Sequence, residues 1–353
     1  MKKALAVSAA ILLCLGVAAQ ADVFNMDPGL TNLEMVTVGD PGNQPDGTYG
    51  SVGYNYKIGK YEVTTAQYTA FLNAVAATDT YGLYTGNIQR SGSDGSYTYS
   101  VAADWANRPV NSISYWDACR FANWLHNGQP TGLQRWLTTE DGAYTIHGYN
   151  STDGRTIQRN AGAKWFLPSE DEWYKAAYYK GGGTNVGYWD YPTQSDSVPS
   201  NDLIDPDPGN NANYQDADYN YTIGYPYYRT NVGEFENSES AYGTFDQGGN
   251  IMEWNETIER IGSIDPPPFP PEGYIYRVLR GGSFVYEVYN MNIRASDRYS
   301  DIPFVAPYNY GFRVAEVIPE PTSFLALFCG LAGLGGVFFR RRPPSPRLPT
   351  SSA

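Results

Sequence analysis

The sequence predicts a loop-rich α+β fold with little regular secondary structure, and three observations predict it. Capped helical segments come first and short strand-and-loop stretches follow, without the strand–helix alternation of a doubly wound sheet. The 37 Gly and 24 Pro among 353 residues set turns at short intervals. Residues 22–317 contain neither an internal repeat nor a heptad run.

The first predicted helix follows Val63-Thr64-Thr65-Ala66-Gln67, where Thr64 can cap and Gln67 stands three positions on. Ala66, Ala70, Phe71, Ala74 and Val75 keep the period of one helical face. The second opens at Ser114, with Asp117 completing the capping pattern and Ala118, Phe121, Ala122 and Leu125 turned to the core. The third opens at Ser169, with Glu170, Asp171 and Glu172 in a first turn that favours acids. It is predicted to end at Lys180, before Gly181-Gly182-Gly183. Residues 85–98 and 195–221 read as long polar loops rich in Gly, Ser, Asn, Asp and Tyr. Loops of that length in a compact domain bind something or are held by a ligand.

Both ends read as addresses. Residues 1–21 have the secretory pattern: Lys2 and Lys3, an apolar stretch, then Ala19-Gln20-Ala21 before a cleavage point. A buried N-terminal helix is the alternative. Near the other end, Pro319-Glu320-Pro321 precedes an apolar run over residues 324–339 and then Arg340-Arg341-Arg342. A helix of that run spans about 24 Å, slightly short of a bilayer core, and residues 322–339 make the fuller span. The arginines would remain cytoplasmic, with residues 343–353 as a cytoplasmic tail. This three-part order resembles the PEP-CTERM sorting signal of Gram-negative bacteria, here over residues 318–342. The resemblance implies an exosortase as processing partner; a plain single-span anchor is the other reading. Either way the body is expected outside the cytoplasm, exported through the Sec pathway to the cell envelope or surface.

Net charge is −13, and loss of both ends, which carry six basic residues, makes the body more acidic still. Such a surface disfavours nucleic acid and suits divalent cations or neutral partners. Of three cysteines, Cys14 and Cys329 lie in the ends, so Cys119 is alone in the body and cannot form an internal disulfide. Phosphate-loop, nucleophile-elbow and His-Glu-x-x-His patterns are absent. His126 and His147 are the only histidines, and neither has zinc spacing.

One segment carries metal chemistry: Asp246-Gln247-Gly248-Gly249-Asn250-Ile251-Met252-Glu253-Trp254. Two carboxylates flank glycines that can turn carbonyls inward, the oxygen mixture Ca²⁺ prefers. Ordinary turn chemistry accounts for Gly-Gly-Asn equally well.

A family resemblance comes from an ordered series of blocks. These are Tyr61-Glu62-Val63-Thr64, Arg108-Pro109-Val110, Ile113-Ser114-Tyr115-Trp116-Asp117-Ala118 and Phe166-Leu167-Pro168-Ser169-Glu170-Asp171-Glu172-Trp173. After them come Gly249-Asn250-Ile251-Met252-Glu253-Trp254, Arg280-Gly281-Gly282-Ser283-Phe284, Arg294 to Arg298, and Gly311-Phe312-Arg313. Together they resemble the formylglycine-generating enzyme, or sulfatase-modifying factor, domain over residues 33–317, with residues 22–32 as a lead. The resemblance implies a single domain related to the C-type lectin fold. It also implies a calcium site with Asp246 and Glu253 as side-chain ligands and Gly249 and Ile251 as carbonyl ligands. A second calcium site would begin at Asn213 and Tyr214, with Asp216 or Asp218 as imperfectly spaced acids.

The family's enzymes hold Cu(I) on two cysteines after the Arg-Gly-Gly-Ser block. Here ungapped counting puts Tyr286 and Met291 at those positions. Soft thiolates are what Cu(I) requires, so copper is not an expected cofactor, and Cys119 reads as a buried small apolar residue. The expected function is a calcium-stabilised ligand- or glycan-binding module of the envelope. Tyr219, Tyr221, Tyr225, Tyr227, Tyr228, Arg280 and Tyr286 are its candidate contacts, and exopolysaccharide or a cell-surface glycan its candidate partner. Tyrosine offers a rigid apolar face with a polar tip, suited to sugar stacking, although the same residues could simply pack loops together. The alternative is an oxidoreductase of the formylglycine-generating class, acting on protein cysteine or using another metal. Arg280, Arg294, Arg298 and Arg313 are expected to pair with acids such as Glu253 or to bond loop carbonyls.

Overall fold

A computed structural model of the chain describes residues 33–149, 157–259, 275–285 and 293–318. The predicted signal, the 318–342 sorting signal beyond Ile318, the cytoplasmic tail, Tyr286 and Met291 lie outside the described residues. Among the described residues, no helix is long and apolar enough to cross a membrane.

The three predicted helices form as read, each with a reciprocal capping box. These are α1 (Thr65–Val75), capped by Thr64 and Gln67, α3 (Tyr115–His126), capped by Ser114 and Asp117, and α4 (Glu170–Tyr178), capped by Ser169 and Glu172. Each box satisfies amide groups that the first turn leaves open. Helix α4 stops at Tyr178 rather than Lys180. Tyr179 turns extended, bridges to Tyr188, and donates its hydroxyl to Gly183 O at 2.5 Å. Two further elements were not legible in the sequence: the single turn α2 (Ala103–Ala106) and a π-helical turn at Trp136–Glu140.

Two four-stranded sheets carry the rest. The first has β2 (Tyr56–Gly59) and β10 (Ala315–Val317) at its centre, with β1 (Met35–Val38) and β5 (Trp165–Phe166) outside them, all antiparallel. Strands distant in sequence are thus paired, and Lys57 meets Glu316 across the ladder at 3.3 Å. The second sheet runs β8 (Tyr299–Asp301), β7 (Tyr276–Arg280), β6 (Met252–Glu259), β9 (Tyr310–Gly311), with β6 and β9 parallel. A small hairpin, β3 (Gln89–Ser91) with β4 (Thr98–Ser100), stands apart.

Aromatic rings fill the space between helices and sheets. Phe121 of α3 lies 5.3 Å from Phe71 of α1 and 5.3 Å from Phe312, with Tyr68 at 6.1 Å. Trp116, Trp173 and Trp254 are buried, and the Trp254 indole N–H donates to Ile113 O at 2.8 Å. Cys119 lies buried among these groups, and burial pushes its thiol up to about 12. It is protonated and out of contact with solvent, as a small apolar core residue would be.

Candidate functional site

The segment 246–253 leads from a tight turn into β6, and the turn is fixed by close backbone approach. Gly249 has φ +91°, and a side chain there would meet Asn213 O at 2.2 Å. The Asn250 amide donates to that same carbonyl at 2.7 Å, and Asn213 Nδ2 donates to Asn250 Oδ1 at 3.1 Å. The two regions predicted to begin separate calcium sites are therefore packed against each other. Asn213 is committed to this packing through its carbonyl and its amide, which also reaches Tyr228 O at 3.0 Å. Tyr214 is buried and donates its hydroxyl to Pro199 O at 2.6 Å. Asp216, offered as an acid for the second site, accepts from Asn220 and Asp218 within its own exposed loop. Nothing in that arrangement gathers it with Asn213.

Glu253 is buried at the start of β6 and its carboxylate is paired by both oxygens. Arg313 donates Nε to Oε2 at 2.6 Å and Nη2 to Oε1 at 2.7 Å, and the Trp173 indole N–H reaches Oε2 at 2.8 Å. Arg313 spends its other donors on Gly59 O and Phe245 O, tying both sheets to the turn. Asp246 accepts from the Gly233 amide at 2.6 Å; burial raises its carboxyl from the usual range to about 6. Close by, Glu62 is buried with no hydrogen-bond partner for either oxygen among the described residues. Burial first, then the charge of Asp246, holds its carboxyl well above the usual range. Three acids thus surround the Arg313 guanidinium, and the donor chemistry of carboxylates and turn carbonyls suits a hard cation. Among the described residues, no group of three or more His, Cys, Asp or Glu is positioned to hold a metal ion. Two carboxylates and two carbonyls are what a calcium ion would use here.

The arginines of the later blocks behave in two ways. Arg280 was expected to touch ligand, but it is buried. It pairs with Glu170 at 2.6 Å and donates to Ala295 O at 3.0 Å and Asp297 O at 2.5 Å, which leaves nothing for a partner. Arg298 shares Glu170 and also pairs with Glu259. Arg294, expected to be buried in an ion pair, is exposed instead, and its Nε donates to the Tyr191 hydroxyl at 2.7 Å.

The surface feature with binding character is an aromatic cleft of about 360 Å³. Tyr221, Tyr227, Tyr228, Trp105, Phe284 and Tyr308 form its walls, with Asn87 and Asn111 beside them. The rings support one another in a chain. Trp105 lies 5.1 Å from Tyr227, Tyr221 lies 5.0 Å from Tyr228, Tyr228 stacks on Phe284 at 5.8 Å, and Phe284 reaches Tyr308 at 5.9 Å. Behind them, the Arg108 guanidinium covers the Tyr227 ring at 4.0 Å and Arg229 faces Trp105 at 5.4 Å. Burial, and Arg108 beside it, lower Arg229 to about 9. At the edge, Asn87 Nδ2 donates to Asn111 Oδ1 at 2.9 Å, and Asn111 Nδ2 to Tyr308 O at 2.7 Å.

Three predicted tyrosines, Tyr221, Tyr227 and Tyr228, therefore line the cleft. Tyr219 and Tyr225 do not; they are exposed on the adjoining loop. Sequence reasoning missed Trp105, Tyr308, Asn87 and Asn111. Trp105 is carried by the unrecognised turn α2, and the others come from loops with no local signature. Phe284 was legible as part of the Arg-Gly-Gly-Ser-Phe block, although not as a wall of the cleft.

With this geometry in view, the similarities are informative. The family model described as the sulfatase-modifying factor enzyme 1-like domain matches residues 34–318, and the chain belongs to that family. The solved structure of CarF superimposes with a TM-score of 0.51 at 19% identity, covering 81% of this chain and 99% of CarF. That likeness shows the fold alone. PvdO from Pseudomonas aeruginosa aligns with a TM-score of 0.45 at 19% identity, over 84% of this chain and 98% of PvdO. A protein of Chlamydia pneumoniae named serine/threonine-protein kinase pkn1 is 30% identical over 166 residues, or 44% of this chain. The match spans 22% of that protein's length.

Proposed function

We propose that this domain is an exported, calcium-stabilised module of the cell envelope that binds neutral glycan in its aromatic cleft. The observation that carries the reading is the cleft itself: six aromatic side chains with two amide side chains at its edge. Sugar C–H faces stack on aromatic faces, while hydroxyls bond amides and phenols. A volume of about 360 Å³ falls within the ~300–1,000 Å³ of small-molecule sites. The acidity of the chain, −13 overall, favours neutral sugars over polyanions.

Calcium at Asp246, Glu253 and the carbonyls of Gly249 and Ile251 is supported by the surplus of buried negative charge there, including the unpartnered Glu62 carboxylate. The ion would lock the turn that supports Asn213 and, through it, Tyr228. Copper-dependent oxidation of the formylglycine type has less support. The body's single thiol is the buried, protonated Cys119, which lies in the core rather than in the cleft.

The test is titration of the full chain, in detergent and calcium, with neutral exopolysaccharide fragments by calorimetry. Tyr308→Ala and Tyr221→Ala are expected to weaken binding at least about tenfold each, as loss of an aromatic anchor does. Tyr225→Ala, outside the cleft, is expected to leave it unchanged. Unaltered affinity in all three variants would remove the cleft as the binding site.

A further inference from the structure

The strongest unabsorbed surface feature is the π-helical turn Trp136–Glu140. Leu133, Trp136 and Leu137 are 49%, 54% and 69% exposed, yet the backbone beneath them is held tightly. Three successive amides, of Thr138, Thr139 and Glu140, converge on Arg135 O at 2.9, 3.0 and 3.1 Å. Thr138 donates its hydroxyl to Leu133 O at 2.6 Å and accepts from the Arg135 amide at 2.9 Å. Glu140 is buried against Arg120 at 2.8 Å. The wide turn thereby pushes Trp136 and Leu137 outward while their neighbours are fixed inward, and Trp136 lies against the His147 ring at 4.7 Å. Large apolar side chains presented in this rigid way mark a contact surface.

The location names the partner. Asn127 at the end of α3 donates to Thr138 O and Asp141 O at 3.1 and 2.8 Å. Its neighbour His126 accepts from the Lys164 amide at 2.9 Å, and Lys164 O accepts from the Val317 amide at 3.0 Å. The chain thus leaves β10 a few residues' width from the exposed turn. Residues 318–323 separate Val317 from the apolar run 324–339 and reach about 20 Å when extended. Arg135 and Lys164 add exposed cations to this side of an otherwise acidic protein, complementary to anionic headgroups. Tryptophan and leucine beside basic residues suit the membrane–water interface.

We propose that Leu133, Trp136 and Leu137 rest in the outer leaflet of the membrane that holds the 324–339 segment, fixing the orientation of the domain on its anchor. The proposal rests on the reading of that segment as an anchor, and the experiment separates the two. Full-length protein with Cys14 and Cys329 replaced by serine is reconstituted in vesicles of phosphatidylethanolamine with a minority of phosphatidylglycerol. Single fluorophores are attached through Leu137→Cys, Tyr225→Cys or Leu331→Cys, and quenching by lipids carrying shallow or deep nitroxides is read. The expected result is shallow quenching at 137, deep quenching at 331 and none at 225. A probe at 137 left unquenched overturns the proposal. In that case deep quenching at 331 leaves the anchor standing, and no quenching at 331 removes both readings. Quenching at 137 alone supports the surface contact and removes only the anchor. Position 137 is exposed, so failure to fold does not confuse the outcome.

Discussion

The charge network around Arg313 and the aromatic cleft use arginine for opposite ends. Around Arg313 the guanidinium is buried and bonded to Glu253, Gly59 and Phe245. In the cleft, Arg108 and Arg229 lie behind the rings of Tyr227 and Trp105 and leave aromatic faces uncovered. The first region saturates its polar groups with protein partners, so its side chains position backbone and reach no partner. The second leaves its most interactive surfaces without protein contact, as a binding site must. A residue type shared with a family is thus no guide to its use until its donors have been accounted for.

Breaking the charge network is expected to have the largest effect. Arg313→Met leaves Glu253 charged, buried and without its guanidinium, and removal of one partner of such a pair costs about 3–5 kcal/mol. Urea denaturation of the full chain in detergent should register that loss. Glu34→Gln, which breaks a solvent-exposed pair with Lys60 at 3.3 Å, should cost within about 0.5 kcal/mol. Equal losses would erase the distinction between buried and surface pairs in this fold.

Next comes the cleft, where Tyr308→Ala and Tyr221→Ala should separate binding from stability: affinity falls while the melting temperature stays close to that of the parent. A large drop in melting temperature would mean that these rings serve packing.

The effect at Asp246 depends on pH. Its folded pKa, about 6, lies above the ordinary aspartate value of about 3.9, so the protonated acid favours folding. That contribution is complete below the ordinary value and is lost as pH rises through 6. In chelator, Asp246→Asn should therefore gain on the parent between about pH 5 and about pH 8, read by thermal melting. In calcium the order should reverse at the higher pH, because the parent keeps a ligand that the variant lacks. A difference independent of both pH and calcium would remove the calcium assignment. The smallest effect is expected at Tyr225, 86% exposed, where alanine should change stability by less than about 0.5 kcal/mol.

What the sequence made legible follows a physical divide. Capping boxes at Thr64, Ser114 and Ser169 are local signals, complete within four residues, and all three formed. The placement of β2 between β1 and β10 depends on a strand more than two hundred residues away, which no local pattern announces. The cleft divides similarly. Tyr221, Tyr227 and Tyr228 are clustered along the chain and were found, whereas Asn87, Asn111 and Tyr308 converge only after folding. Arg280 was misread because motif position does not reveal burial: its partner Glu170 stands at the start of a distant helix.

Strand β10 is the last described element before the predicted anchor, and it is flanked on both sides, by β2 and by β5. A pull transmitted along the tail must therefore break two ladders together, with the Lys57–Glu316 pair bridging one of them. An edge strand could be peeled away bond by bond; this one cannot. For a protein gripping polymer at a surface exposed to flow, that strand makes the junction between tether and grip resistant to tension.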